Sequence, residues 1–216
     1  MAKKSSNYKE SIKPGVLVAE FVGTFSLAYA VLASINGSLS STIPTAAIAG
    51  FTLLLAALSI GGVSGAHINP SITIGLLSIK KIPPLKALFY LIAQFAGAVA
   101  ALGLITLVLH GSIHHAHGVA SNISTLKVFS GELVGTGIFS FGVASAVEQG
   151  LQKISAAFLV GGSLFLGIEF AAIASNGVLN PAVAVAISSA TWAYILGPVV
   201  GSLIGMNIQH YLRKFS

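Results

Sequence analysis

Six long apolar runs dominate this sequence of 216 residues and restrict the folds open to it. They lie at about 16–35, 43–62, 84–110, 128–147, 154–174 and 192–210. Each approaches the roughly 20 apolar residues that an α-helix needs to cross the hydrocarbon core of a bilayer. Because the bilayer has no water to pair with the backbone, only helices or closed barrels span it, and runs this long exclude barrel strands. The chain is therefore predicted to be an all-α membrane protein with six transmembrane helices.

Charged residues are scarce and lie at the ends of these runs. They make up 7% of the chain, against about 25% in soluble domains. The net charge of +6 at pH 7 does not indicate a nucleic-acid partner, because ten of the 11 basic residues fall on one side of the predicted membrane and only Lys127 on the other. By the positive-inside rule both termini are expected in the cytoplasm, with residues 1–14 as a cytoplasmic segment and the spans in the cell membrane.

Two Asn-Pro pairs open apolar runs that are too short to cross a bilayer. The two segments are Asn69-Pro70-Ser71 and Asn180-Pro181-Ala182. Asn is favoured just before a helix, and Pro is tolerated in the first turn because its missing N–H would be unpaired there. Each segment therefore predicts a half-helix that starts inside the membrane. One half-helix follows the second span and the other follows the fifth.

The two halves of the chain repeat each other. Asn69 follows Glu20 by 49 positions, and Asn180 follows Glu132 by 48. Because each half has three spans, the second half must enter the membrane from the opposite side, which gives an inverted three-plus-three repeat. Such repeats place their sites near the midplane, where broken helices meet. The repeats are expected at about 15–110 and 128–210, inside a single domain of residues 15–216.

Six short segments carry a resemblance to a known family. They are AEFVGT (19–24), SGAHINPS (64–71), AQFAGA (93–98), GELVGT (131–136), NGVLNPA (176–182) and WAYILGPVVG (192–201). Together they resemble the aquaporin, or major intrinsic protein, family over nearly the whole chain. The resemblance implies six spans plus two re-entrant half-helices, one pore per subunit and a homotetramer in the lipid bilayer. It also implies a passive channel for water and small neutral solutes.

The resemblance assigns filter positions at which this chain departs from the family. The family commonly reads Asn-Pro-Ala-Arg at the second box, with the arginine in the narrow filter, but Val183 occupies that position here. Aligning outward from the boxes gives Ala49, Ile168 and Gly177 as the other filter positions. The first box ends in Ser71 rather than alanine. We expect a wide filter without its usual cation, which admits polyols, urea, ammonia, peroxide or metalloid hydroxides.

Several polar side chains fall within or beside the predicted spans, where a carboxylate is costly unless it has a partner. Glu20 and Glu132 are expected to accept hydrogen bonds from the re-entrant loops, the role that the family also assigns them; a proton pathway is the other interpretation. By resemblance His67 lines the inner vestibule, and a structural histidine is the alternative. Glu169 is expected either to pair with a loop donor or to place negative charge near the outer vestibule.

No pattern in the chain indicates catalysis, a metal or a cofactor. It contains no cysteine, nucleophile–base arrangement, phosphate loop or spacing of metal ligands, so we do not expect an enzyme. A cluster of outer-loop histidines is expected to be solvated, with a transition-metal site or a pH sensor as alternatives. The cluster consists of His110, His114, His115 and His117.

Three other functions share parts of this pattern. Secondary transporters also use inverted repeats with broken helices, and the intramembrane carboxylates would then couple transport to an ion gradient. A weakly selective ion channel is compatible with the missing arginine. A junction-forming membrane scaffold receives little support from short, nearly uncharged outer loops. The expected function is the passive channel.

Overall fold

The computed structural model describes residues 12–37, 43–113 and 125–215, and these form eight α-helices and no strand. The all-α prediction is therefore confirmed. In chain order the helices are α1 Pro14–Asn36, α2 Thr45–Ser64, α3 Pro70–Ser78, α4 Pro84–Val108, α5 Thr125–Glu148, α6 Lys153–Ala171, α7 Pro181–Ala186 and α8 Trp192–Arg213.

Six of these helices are long enough to cross a membrane. Within the described ranges, α1, α2, α4, α5 and α6 are also apolar enough by composition. The 22 residues of α8 are more polar because its last turns carry Asn207, Gln209, His210 and Arg213. At 1.5 Å per residue α8 is about 33 Å long, which suffices to span the hydrocarbon core.

The two remaining helices are short and begin at the Asn-Pro pairs. α3 has nine residues and α7 has six. Both begin with a proline, whose fixed φ suits the first helical position. The sequence predicted runs of about eight to ten residues, and α7 is shorter because it ends at Ala186, before Ser188, which has a φ of 59°.

Packing between the helices follows the inverted repeat. α1 packs on α2 and α4 in the first half, as α5 packs on α6 and α8 in the second, and α2 on α6 joins the halves. Each half-helix packs on the last helix of the opposite half, α3 on α8 and α7 on α4. A Cβ added at Gly97 would collide with the carbonyl oxygen of Phe21, and one at Gly201 with that of Leu133. These equivalent glycines allow close helix approach in both halves.

An ion-pair cluster marks one face of the bundle. Glu148 Oε1, at the end of α5, lies 2.9 Å from Lys81 Nζ and 3.1 Å from His210 Nδ1. These residues join the end of α5, the segment after α3 and the end of α8. We call this end of the bundle the Lys81 face, and the opposite end, where α8 begins, the Trp192 face.

Candidate functional site

The two half-helices meet through the asparagines that precede them. Asn69 Nδ2 donates to the carbonyl oxygen of Leu179 at 2.9 Å, and Asn180 Nδ2 donates to that of Ile68 at 3.0 Å. Each amide is thus held by the loop of the opposite repeat. Because an asparagine amide nitrogen carries two N–H groups, each Asn keeps a second donor beyond this bond.

The amide oxygens of the same asparagines cap the half-helices. Asn69 Oδ1 accepts from the backbone N–H of Ser71 at 2.8 Å. Asn180 Oδ1 accepts from Ala182 N at 3.0 Å and from Val183 N at 3.3 Å. These bonds satisfy donors that a helix start would otherwise leave unpaired. With the oxygen occupied by the cap and one N–H by the opposite loop, the orientation of each amide is determined.

Glu20 holds the loop before α3. Its Oε1 accepts from Ser64 Oγ at 2.6 Å and from the backbone N–H of His67 at 3.0 Å. Its Oε2 accepts from the N–H of Ile68 at 2.7 Å and from Gln94 Nε2 at 2.7 Å. The loop needs this support because Ile68 has a φ of 38°, a conformation that is costly for a β-branched residue.

Glu132 makes the equivalent contacts in the second repeat. Its Oε1 accepts from Ser175 Oγ at 2.7 Å and from the N–H of Val178 at 2.9 Å, and its Oε2 accepts from the N–H of Leu179 at 2.7 Å. Within the described part of the chain the Gln94 donor has no counterpart here, because Pro198 occupies the equivalent position, three residues before the repeated glycine. The two repeats thus share a design but differ by one buried hydrogen bond.

Two of the cavities among the described residues lie beside this junction, one towards each face of the bundle. The cavity towards the Trp192 face, the outer cavity, measures about 320 Å³ and contains both Asn69 and Asn180 in its wall. The cavity towards the Lys81 face, the inner cavity, measures about 530 Å³ and is bordered by Lys81 and Lys153. The two cavities have wall residues in common and are therefore adjacent, and we call them together the passage.

All four predicted filter positions line the outer cavity: Ala49, Ile168, Gly177 and Val183. Gly177 has a φ of 62°, and a Cβ there would come within 2.7 Å of the carbonyl oxygen of Ile168. This position therefore requires glycine. None of the four side chains carries a charge or a hydrogen-bonding group.

The other predicted residues take different places. His67 lines both cavities, and its Nδ1 lies 3.2 Å from Thr73 Oγ1. Ser71 and Ala182 are fully buried and lie outside the cavity walls, as do Pro70 and Pro181. Ser71 Oγ has no hydrogen-bond partner within the described residues.

The two open questions about outer polar residues receive partial answers. Glu169 is exposed on α6 and does not line the outer cavity. His110 is exposed, and His114, His115 and His117 lie outside the described residues. Among the residues that are described, no group of three or more His, Cys, Asp or Glu side chains is placed to hold a metal.

Several wall residues were not predicted from the sequence. Among them are Leu27, Thr45, Leu53, Phe139 and Asn176. Leu27 and Phe139 each follow a repeated glutamate by seven positions, about two helical turns, so each shares a helix face with a glutamate that supports a re-entrant loop. That spacing is the signal that would have identified them. Gln94 belongs to the AQFAGA segment, but its hydrogen-bond partners could be identified only from the fold.

Comparisons with known proteins agree with this fold. The family model described as Major intrinsic protein matches residues 6–209. Nodulin-26 from Glycine max is 29% identical over 209 residues, covering 91% of this chain and 77% of that protein. Probable aquaporin NIP7-1 from Arabidopsis thaliana is 31% identical, with 88% and 74% covered. The aquaglyceroporin structure from Plasmodium falciparum superposes with a TM-score of 0.72 over 92% of this chain and 94% of that one, and at 23% identity it supports the fold.

Proposed function

We propose that this chain, which belongs to the major intrinsic protein family and is a passive channel for water and small uncharged solutes, has a filter wide enough for the larger of those solutes. The candidates are polyols, urea, ammonia, peroxide and metalloid hydroxides. The transporter and ion-channel alternatives are not favoured. A transporter would need Glu20 or Glu132 for coupling, but both carboxylates accept hydrogen bonds from backbone N–H groups of the re-entrant loops.

One observation carries the proposal: the paired amides line a cavity whose four filter positions carry no charge and no hydrogen-bonding side chain. Asn69 and Asn180 each direct one N–H to the opposite loop and keep a second for a passing oxygen. A neutral hydroxyl or carbonyl oxygen can accept this donor. An ion entering the same passage would lose its hydration at an effective cost of several kcal/mol. Amide N–H groups offer no compensation to a cation.

The uncharged outer filter supports the passage of larger solutes. Ala49 contributes a methyl group and Gly177 no side chain, while Val183 replaces the long arginine common in the family. Losing that side chain removes bulk, a hydrogen-bond donor and a positive charge at once. The filter we propose consists of Ala49, Ile168, Gly177 and Val183.

Stopped-flow light scattering on proteoliposomes tests the proposal. Purified protein in vesicles should conduct water, and also glycerol or urea, above the level of protein-free vesicles. The variant Val183→Arg should retain water flux and lose most of the solute flux. Water flux without any solute flux in the unmodified protein would overturn the wide filter.

The orientation, location and assembly of the channel are further parts of the proposal. The basic residues Lys81 and Lys153 at the Lys81 face support a cytoplasmic position for that face, with both termini, including residues 1–14, on the same side of the cell membrane. Residues 15–216 would form one channel domain with repeats at about 15–110 and 128–210, assembled as a homotetramer.

Single-cysteine labelling tests the orientation, since the chain has no cysteine of its own. The exposed residues Ser112 and Gln152 lie near opposite faces. A membrane-impermeant maleimide should label Ser112→Cys in intact cells and Gln152→Cys only after lysis. The reverse pattern would invert the topology. Light scattering of the detergent-solubilised protein during size-exclusion chromatography gives the number of subunits.

A further inference from the structure

The outer and inner cavities meet at one level, and the residues at that level are not the filter positions. The outer cavity extends without interruption from the four filter positions to Asn69 and Asn180. It separates from the inner cavity further towards the Lys81 face. Among the described residues, the two walls have three members in common: Leu53, His67 and Phe139. We call these three residues the inner neck.

The inverted repeat supplies an internal comparison for the inner neck. The equivalents of Leu53, His67 and Phe139 in the opposite repeat are Leu164, Val178 and Leu27. All three equivalents line the outer cavity and none lines the inner one. They flank the asparagine pair from the Trp192 side, as the inner neck flanks it from the Lys81 side. These three side chains therefore lie within one cavity, whereas the inner neck lies where the two cavities meet.

The difference between these two levels lies in two side chains. Leu53 and its equivalent are both leucine. His67 stands where the other repeat has a valine, and Phe139 stands where it has a leucine. Both replacements increase side-chain volume on the Lys81 side. Along α2 the bulk also rises inward, from Ala49 at the filter to Leu53 one turn later.

We propose that the inner neck, rather than the outer filter, sets the largest solute that this channel passes, with Phe139 as the specificity-determining residue. The inference rests on the proposed channel function and adds where size selection occurs. Leu53 and Phe139 present apolar surfaces, so a polar solute at this level loses water on those sides and regains contacts at the His67 side. Solutes with a wider apolar cross-section would be excluded by Phe139.

The test uses two variants of opposite effect and a matched control. Phe139→Leu copies the side chain that the other repeat carries at the same position, and Leu53→Phe adds bulk. The control is Phe141→Leu, the same change two residues along α5, where the side chain is 38% exposed on the outside of the bundle. Permeabilities for water, glycerol and a five-carbon polyol are measured in proteoliposomes by stopped-flow light scattering.

We expect Phe139→Leu to raise five-carbon polyol permeability about tenfold, which corresponds to ~1.4 kcal/mol off the barrier, and to raise water permeability by a smaller factor. Leu53→Phe should lower glycerol permeability more than water permeability. Phe141→Leu should match the unmodified protein in all three. Thermal unfolding of each variant in detergent, together with its water flux, shows whether the fold is kept.

The possible failures are distinguishable. If the unmodified protein passes neither water nor glycerol, the proposed function is wrong. If it passes both, and Phe139→Leu leaves the solute cut-off unchanged while Val183→Ala shifts it, the inner neck is overturned and the channel function stands. A change in cut-off for Phe141→Leu equal to that of Phe139→Leu would also overturn the proposal.

Discussion

Replacing Asn180 by aspartate adds one negative charge at the centre of the passage and leaves the shape of the side chain almost unchanged. One carboxylate oxygen can still accept from the N–H groups of Ala182 and Val183, which lie 3.0 Å and 3.3 Å from Oδ1 in the unmodified protein. The other oxygen replaces Nδ2, which in the unmodified protein donates to the carbonyl oxygen of Ile68 at 3.0 Å. Two acceptors would face each other there. We expect a loss of about 1–3 kcal/mol in stability from this contact.

The same substitution should admit cations. At about 4 Å and an effective dielectric constant of ~20, a unit charge attracts a monovalent cation by roughly 4 kcal/mol. Dehydration of the cation offsets part of this attraction, so we expect at least about a tenfold rise in cation permeability, equivalent to ~1.4 kcal/mol. Water permeability should fall, because the second amide N–H is lost as a donor.

Proteoliposomes containing a proton-sensitive dye measure this effect when a potassium or proton gradient is applied at pH 8. Asn69→Asp is the matched variant, because Asn69 Nδ2 makes the equivalent bond to Leu179. Asn180→Ser is the control, since serine retains a capping oxygen without adding charge. If Asn180→Asp keeps full water flux and excludes cations as well as the unmodified protein does, the amide donors do not control charge selectivity.

Three further predictions concern the filter and the supports of the loops. Val183→Arg should lower glycerol permeability at least about tenfold, or ~1.4 kcal/mol in barrier, and water permeability much less; equal losses in stopped-flow measurements would argue against Val183 as a filter position. Gln94→Leu removes the hydrogen bonds from Nε2 to Glu20 Oε2 at 2.7 Å and to Thr73 Oγ1 at 2.9 Å. The free energy of unfolding should fall by about 1–3 kcal/mol, and an unchanged thermal unfolding temperature in detergent would contradict this. Gly201→Ala should cost about 1–3 kcal/mol because its Cβ meets backbone of α5, whereas Gly103→Ala, with open space around it, should be neutral or stabilising in the same assay.

Much of the fold was predictable because its signals are local. Runs of apolar residues long enough to span a bilayer predicted the six long helices, and their bounds in the structure differ from the predicted ones by a few residues. Pro70 and Pro181 predicted where the half-helices begin. The family assignment from the short motifs is confirmed by the family model over residues 6–209. The cytoplasmic orientation and the filter assignment stay predictions.

The sequence by itself determined the helices, the inverted repeat and the two asparagines, because hydropathy and helix-start chemistry act over a few neighbouring residues. Only the tertiary structure decided which of the many apolar side chains line the passage. Leu53 is an apolar residue in an apolar helix, and nothing in the sequence distinguishes it from Phe51, two residues earlier, which is exposed on the outside of the bundle. In a bilayer every face of a helix is apolar, so no alternation of polar and apolar residues marks the side that faces the pore. The packing of the helices makes that choice.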